Sequence, residues 1–307
     1  MKILITGATG LIGTELVTFL LQKQHKIHYL TTSQDKLVNT PNYKGFYWNP
    51  DQGIIDSHCL EGVETIINLS GATIFKRWTK SYKEKIIKSR IESSNLLFKT
   101  LQETPNHVKQ VISSSGVGIY PYSLTAIYTE ETKKVSNSFL GDVVLKWEDA
   151  VNRLKQLHIK VCILRTGMVL AEQGGVWKEM MKPTVAGCNI VFGSGEQFQS
   201  WIHIEDLVII YHTAIQNEWE GIYNAVAPNV VTSNQLMTYF GALFKKKLFL
   251  IRIPELITKF ILGEVAVLLL DSQNVSANKI IGTGFIFKYE KINKAFENLI
   301  YKKSPYL

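Results

Sequence analysis

A doubly wound, Rossmann-type α/β fold with a smaller C-terminal substrate lobe is predicted by three features of the chain. An apolar run at residues 2–6 reads as a buried parallel strand. Behind it comes the turn Gly7-Ala-Thr-Gly10-Leu-Ile-Gly13, and then Leu11, Ile12, Leu16, Phe19 and Leu20 at helical spacing. From there strand-like and helix-like segments alternate as far as Leu164. Right-handed crossovers lay strands in that order into one parallel sheet.

Each element carries its own signal. Glycines at 7, 10 and 13 let the backbone turn tightly, approach a pyrophosphate closely and pack the helix on the sheet. The helix start supplies free N–H groups and the positive end of its dipole, so Gly7, Thr9, Gly10, Leu11, Ile12 and Gly13 form the candidate dinucleotide loop. Residues 26–32 read as the second strand. In this architecture an acid at its tip selects NAD, whereas a basic residue accommodates the 2′-phosphate of NADP. The tip here is Thr31-Thr32-Ser33-Gln34 without an acid, and Asp35 and Lys36 lie just beyond. This tilts the cofactor, NAD(P), towards NADP, with Thr32 at the ribose and Lys36 either a phosphate partner or an ordinary surface lysine.

A short strand at residues 46–48 precedes a clearer one at residues 64–69, which ends in Asn68-Leu69-Ser70-Gly71-Ala72. Small residues at the carboxyl end of a strand leave room for a nucleotide, so Leu69, Gly71 and Ala72 join the cofactor set. A long helix over residues 83–101 carries Ile86, Ile87, Ile91, Leu97, Phe98 and Leu101 on or near one face. The strand over residues 108–115 ends in three serines, ahead of Gly116-Val-Gly-Ile-Tyr120-Pro121. A helix over residues 140–154 and a strand over residues 161–164 close the first part, with Arg165-Thr166-Gly167 at its rim. Residues 1–170 form the expected NAD(P)-binding domain, which also receives segments from residues 196–226. Residues 171–307 form most of the smaller lobe, with loops and short elements expected between Gly174 and Trp201.

Composition narrows the function classes. With 46% hydrophobic and 20% charged residues, the 307-residue chain is an ordinary globular protein. Its net charge of +8 comes from 34 Lys and Arg against 26 Asp and Glu. The basic stretches, residues 76–90 and Lys245 to Lys247, lack the interleaved aromatics of a nucleic-acid surface. Cys59, Cys162 and Cys188 are widely separated in apolar contexts, which suggests neither disulfides nor a metal site. The first apolar residues belong to the opening strand, so no charged leader is read there. The apolar stretch at residues 256–270 is interrupted by Lys259 and Glu264 and falls short of a span. A cytoplasmic protein is expected, with a small-molecule substrate and with neither nucleic acid nor membrane as partner.

The motifs together resemble the extended branch of the short-chain dehydrogenase/reductases, the NAD(P)-dependent epimerase/dehydratase group. The nearer match is the atypical subgroup called epimerase family proteins, which has its own C-terminal region. The pieces that carry it are the glycine loop, residues 68–72, Arg77-Trp78-Thr79, Ser89-Arg90-Ile91 and Ser115-Gly-Val-Gly-Ile-Tyr120. Later ones are Trp147-Glu148, Leu164-Arg165-Thr166-Gly167, Gly193-Ser-Gly195, Ser200-Trp-Ile-His203 with Asp206, and Ser272-Gln273 through Gly284-Phe285. The resemblance implies cofactor binding, Arg165 included, and a homodimer. It implies that His203 lies where the cofactor cleft closes, with Asp206 at a helix start.

One departure bears on chemistry. Catalytic members of the superfamily carry Tyr-x-x-x-Lys on the helix after the serine strand, the lysine lowering the tyrosine pKa. Those places fall near Leu140 and Val144 here, and neither side chain transfers a proton. Lys146 is expected to pair with Asp142 four residues earlier. Ser115 and Tyr120 are the candidate catalytic pair, with Glu130 or Glu131 as a base; alternatively Tyr120 is an aromatic wall and the glutamates cap or solvate a loop. Arg77, Trp78 and His203 are candidate substrate contacts, because arginine can clamp an anion and tryptophan can cover a ring. The same residues could instead tie a loop to the body. An oxidoreductase or epimerase of a small molecule is the leading expectation. A redox-sensing or regulatory binding protein that holds the cofactor without turnover is the competing one.

Overall fold

The computed structural model describes residues 1–244 and 248–301, so the Lys245–Lys247 cluster lies outside the described residues. The first half runs β1 (Lys2–Thr6), α1 (Leu11–Gln22), β2 (Lys26–Thr31), β3 (Asn39–Thr40), β4 (Tyr43–Asn49), β5 (Ile54–Ile55), β6 (Thr65–Asn68), α2 (Lys80–Glu103), β7 (Gln110–Gly116), β8 (Ile127–Tyr128), α3 (Phe139–Asn152) and β9 (Lys160–Thr166). There follow β10 (Met168–Ala171), α4 (Gly175–Val185), β11 (Cys188–Phe192), β12 (Phe198–Gln199), β13 (Trp201–His203), α5 (Ile204–Gln216), β14 (Gly221–Ala225), β15 (Val231–Thr232) and α6 (Ser233–Ala242). The chain closes with β16 (Phe249–Ile253), α7 (Glu255–Leu262), α8 (Val267–Leu270), β17 (Asn274–Val275), α9 (Asn278–Gly282) and α10 (Ile292–Tyr301).

The main sheet has the order β14-β9-β7-β6-β1-β2-β4-β3, with β5 paired to β4. All its pairings from β4 to β14 are parallel, and only the short β3 and β5 run antiparallel to β4. This is a Rossmann-type sheet. From β1 the chain builds outward to β2 and β4, then returns to place β6 on the other side of β1. The switch point between β1 and β6 opens a crevice at the strands' carboxyl ends, where such sheets bind ligands.

Helices cover both faces because β1, β6, β7 and β9 are apolar on both sides. On one face α1 packs against α5, through Leu16, Leu20, Leu207 and Tyr211. On the other α2 packs against α3, through Leu96, Leu97, Leu101, Trp147 and Val151. A separate core of Trp177, Val191, Trp201, Phe240 and Phe296 fills the C-terminal lobe. One departure from the sequence reading is α4, an eleven-residue helix within the stretch expected to hold loops and short elements. Glycines at its start and Pro183 in its last turn masked the spacing of Trp177, Met180, Met181 and Thr184. That spacing is what docks the helix on the second core.

Candidate functional site

The glycine loop is held by close packing. Gly7 has φ +70, and a Cβ there would stand 2.9 Å from the Leu69 carbonyl carbon. At Gly13 a Cβ would lie 2.2 Å from the Gly7 carbonyl oxygen, so α1 could not sit this close to the loop with any larger residue. The Gly10 N–H donates to the Gly7 carbonyl at 3.0 Å. Helix α1 has no side-chain cap and no acid in its first turn, which leaves its amino-terminal donors to face a phosphate without a competing negative charge. Thr9 is exposed, whereas Leu11 and Ile12 are half-buried. Leu11 also lies against the turn before α4, where a Cβ on Gly174 would stand 3.0 Å from its Cδ1.

Across the crevice Thr6 does work that sequence reading missed. Its hydroxyl donates to Asn68 Oδ1 at 2.8 Å and accepts the N–H groups of Leu69 and Ser70 at 3.1 and 3.2 Å. Asn68 in turn donates to Ser113 at 3.3 Å, so the carboxyl ends of β1, β6 and β7 are fastened together. The Ala72 N–H donates to Ser89 Oγ at 2.9 Å, and Arg90 donates from one Nη1 to the carbonyls of Ala72 and Ile86 at 3.2 and 2.9 Å. The guanidinium lies 5.0 Å from the centre of the Trp147 ring, and its burial lowers the pKa to about 10. No carboxylate pairs with Arg90 among the described residues; α2 holds it as a pin on the Gly71–Ala72 turn.

Beyond β2, Thr32 and Lys36 are both exposed. The Lys36 carbonyl accepts the Tyr29 hydroxyl at 2.6 Å, which anchors this rim to the sheet. No acid stands at the β2 tip itself; Asp35 and Lys36 follow it in the next turn, both exposed.

The serine strand leads into a buried network. Ser115 Oγ donates to Glu148 Oε1 at 2.6 Å. Arg165 grips the same carboxylate with two bonds, Nε to Oε1 at 2.9 Å and Nη2 to Oε2 at 2.7 Å, and offers Nη1 to the Tyr120 hydroxyl at 3.0 Å. That hydroxyl donates to Asn224 Oδ1 at 2.8 Å, and the Asn224 N–H reaches Glu130 at 2.7 Å. Tyr120 is 1% exposed, and burial raises its pKa against the pull of Arg165. Burial alone would lower the Arg165 pKa, but the Glu148 carboxylate outweighs it and the net shift is upward. A phenol used as acid or base near neutrality needs a shift in the opposite direction to that of Tyr120.

On α3, Leu140 lies against Gly118 and buried Val144 against Gly116, so the helix face beside the serine strand is apolar. Lys146 pairs with Asp142 at 2.7 Å on the surface. Arg77 is exposed, while Trp78 is buried, donates from Nε1 to the Ile74 carbonyl at 2.9 Å and packs edge-on against Phe139 at 5.0 Å. His203 is 1% exposed; its Nδ1 caps α5 by accepting the Glu205 N–H at 3.2 Å, and its ring lies 3.9 Å from that of Tyr289. Asp206 accepts the N–H groups of Lys288 and Tyr289 at 2.8 and 2.9 Å, which ties the C-terminal segment to α5. Among the described residues no group of His, Cys, Asp and Glu is arranged to hold a metal ion.

Glu148, Asn224 and Thr6 are the partners that sequence reading left without a role here. Only Glu148 carried a signal, in the Trp147-Glu148 motif.

Comparison with known proteins agrees with this fold. The model of the NAD-dependent epimerase/dehydratase family matches residues 3–225. A domain of unknown function, DUF1731, matches residues 253–299. An epimerase family protein of Staphylococcus epidermidis is 36% identical over 301 residues, which cover 97% of this chain and 99% of that protein. The crystal structure of human epimerase family protein SDR39U1 with NADPH superposes with a TM-score of 0.86 at 29% identity, over 99% of this chain and 100% of that one. A nucleoside-diphosphate sugar epimerase from Corynebacterium glutamicum gives 0.76 at 27% identity, over 98% of this chain and 58% of that one.

Proposed function

The chain belongs to the NAD-dependent epimerase/dehydratase family, and from that premise we propose that it binds NADP(H) without a proton relay and works as a cofactor-responsive binding protein. The observation that carries this reading is the buried Ser115–Glu148–Arg165–Tyr120–Asn224 network. It commits both candidate catalytic hydroxyls, while Leu140 and Val144 offer no proton on α3.

The residues present fit a dinucleotide. A Cβ would clash with backbone at Gly7 and Gly13, and at Gly10 it would stand 3.2 Å from the Gly7 carbonyl oxygen. Their backbone donors and the start of α1 would hold the pyrophosphate, with Leu69, Gly71 and Ala72 forming the opposite wall. Thr32 and Lys36 follow β2, the strand beyond which this fold accommodates a 2′-phosphate; that position and the NADPH bound to the human relative support the reading as NADP. A bound nicotinamide supplies or accepts a hydride. The protein delivers no acid or base from α3, where Leu140 and Val144 stand beside the serine strand. Arg165 acts on Glu148 and Tyr120 rather than on the cofactor.

A second reading, turnover of a small molecule by oxidoreduction or epimerisation, is favoured by the likeness to the sugar epimerase. The two separate in one assay. Protein loaded with NADPH is offered aldehydes, ketones and nucleoside-diphosphate sugars while NADPH absorbance and sugar configuration are followed. The proposal expects bound NADPH and no consumption or epimerisation above the uncatalysed rate. Turnover that disappears in Tyr120→Phe would establish the second reading in its place.

A further inference from the structure

The amino ends of the strands, opposite the nucleotide crevice, carry a cluster of positive charge. Lys2 on β1 is the register partner of Lys26 on β2, and His28, two residues further along β2, is the partner of Lys44 on β4. Partners in a parallel sheet share a face, as do residues two apart on a strand, so all four side chains stand on the same side of three adjacent strands. They line a cavity of about 360 Å³, bounded by the turn from Asn39 to Asn42. Among the described residues none of the three lysines forms an ion pair. Lys2 Nζ donates to the Glu61 carbonyl at 2.6 Å, while the Glu61 carboxylate stands 4.0 Å from His58. The Glu64 N–H donates to the Lys2 carbonyl at 3.1 Å, and its carboxylate pairs with no lysine. Like charges directly opposite each other on neighbouring strands repel, which is the position of Lys2 and Lys26.

We propose that this cavity binds a small phosphate-bearing anion, with Lys2, Lys26 and Lys44 meeting its charge and His28 accepting its hydrogen. The histidine is what points to a ligand. It is 7% exposed, its Nδ1 lies 2.8 Å from the Cys59 carbonyl oxygen, and its ring leans on Phe46 with centres 4.8 Å apart. A carbonyl can only accept, so Nδ1 carries the ring hydrogen and Nε2 is left as an acceptor. Among the described residues Nε2 has no hydrogen-bond partner. Burial lowers the pKa of His28, and the charges of Lys2 and Lys44 add to this against the opposing pull of the Cys59 carbonyl and Glu61, so the ring is neutral at neutral pH. The Lys44 ammonium lies over the same Phe46 ring, 5.0 Å from its centre, which brings it beside the imidazole. Three ammonium groups call for a multiply charged anion, and a buried acceptor among them calls for one that still carries a hydrogen. A phosphate group, whose second pKa is about 6, keeps or readily regains that hydrogen, whereas a carboxylate with a pKa of about 4 does not. Lysine suits such a group as a point charge that needs no planar partner.

The test is calorimetric titration of the full chain, in buffer free of phosphate, with inorganic pyrophosphate and with malonate. The expected result is saturable binding of pyrophosphate, tighter than that of malonate. Lys26→Gln combined with Lys44→Gln weakens it about a hundredfold, from roughly tenfold per hydrogen bond to a charged group, and leaves the circular dichroism and NADPH binding unchanged. Gly10→Asp, altered at the nucleotide loop on the far end of the sheet, retains the lysine-dependent binding. No saturable binding to the wild type, or malonate bound as tightly as pyrophosphate, would overturn the proposal. Unchanged binding in the lysine variant, or its loss in folded Gly10→Asp, would place the pyrophosphate elsewhere and overturn it too. A DNA duplex bound more tightly through the same lysines would make a polynucleotide the occupant, with the same consequence.

Discussion

At the scale of single residues, Tyr120 decides how the site is read. Its hydroxyl joins Arg165 to Asn224 in a buried place, so Tyr120→Phe leaves two polar groups without a partner. The expected cost is about 1–3 kcal/mol in urea unfolding, with NADPH affinity unchanged. Weaker NADPH binding at undiminished stability would instead put the phenol against the cofactor. The difference between Gly7 and Tyr120 shows what a sequence makes legible. Gly7, Gly10 and Gly13 announce themselves because neighbours in sequence create the demand for glycine. The roles of Ser115, Tyr120, Glu148, Arg165 and Asn224 depend on meetings between separate strands and α3, and no local pattern encodes those.

At the scale of elements, the two turns that frame the crevice are fixed differently. The turn after β1 is held by contacts of its own backbone, whereas the turn after β6 is held at Leu69 and Ser70 by Thr6 and at Ala72 by α2, through Ser89 and the Arg90 pin. Arg90→Ala is therefore expected to loosen residues 71–72, raising their amide hydrogen exchange and weakening NADPH about tenfold, a loss of roughly 1.4 kcal/mol. Arg90→Lys, which keeps the charge but not the planar fork, recovers part of this. Unchanged exchange in Arg90→Ala would show that the turn holds itself. The alternation of strands and helices up to β9 was legible because buried parallel strands are short apolar runs and their helices show a 3.6-residue period. Helix α4 was hidden by Gly174, Gly175 and Pro183. The apolar character of residues 256–270 was visible, but its outward face was not, since periodicity gives the faces of a helix without saying which one is covered.

At the scale of the whole molecule, one sheet has its switch point between β1 and β6, the proposed dinucleotide site, and a second lobe is built on its own aromatic core. The parallel sheet, the family match over residues 3–225 and the likeness to a relative crystallised with NADPH agree on the architecture. The C-terminal lobe was less legible because short strands and helices follow one another there without a repeated unit. The most direct measurement of the central claim is a fluorescence titration of cofactor-free protein with NADPH and with NADH, set beside Gly10→Asp. That variant brings a carboxylate to the phosphate-facing start of α1, where the wild type has no acid. The account predicts saturable NADPH binding, tighter than NADH, and its loss in folded Gly10→Asp. Failure of folded wild-type protein to bind either nucleotide would contradict it, as would equal binding by the variant.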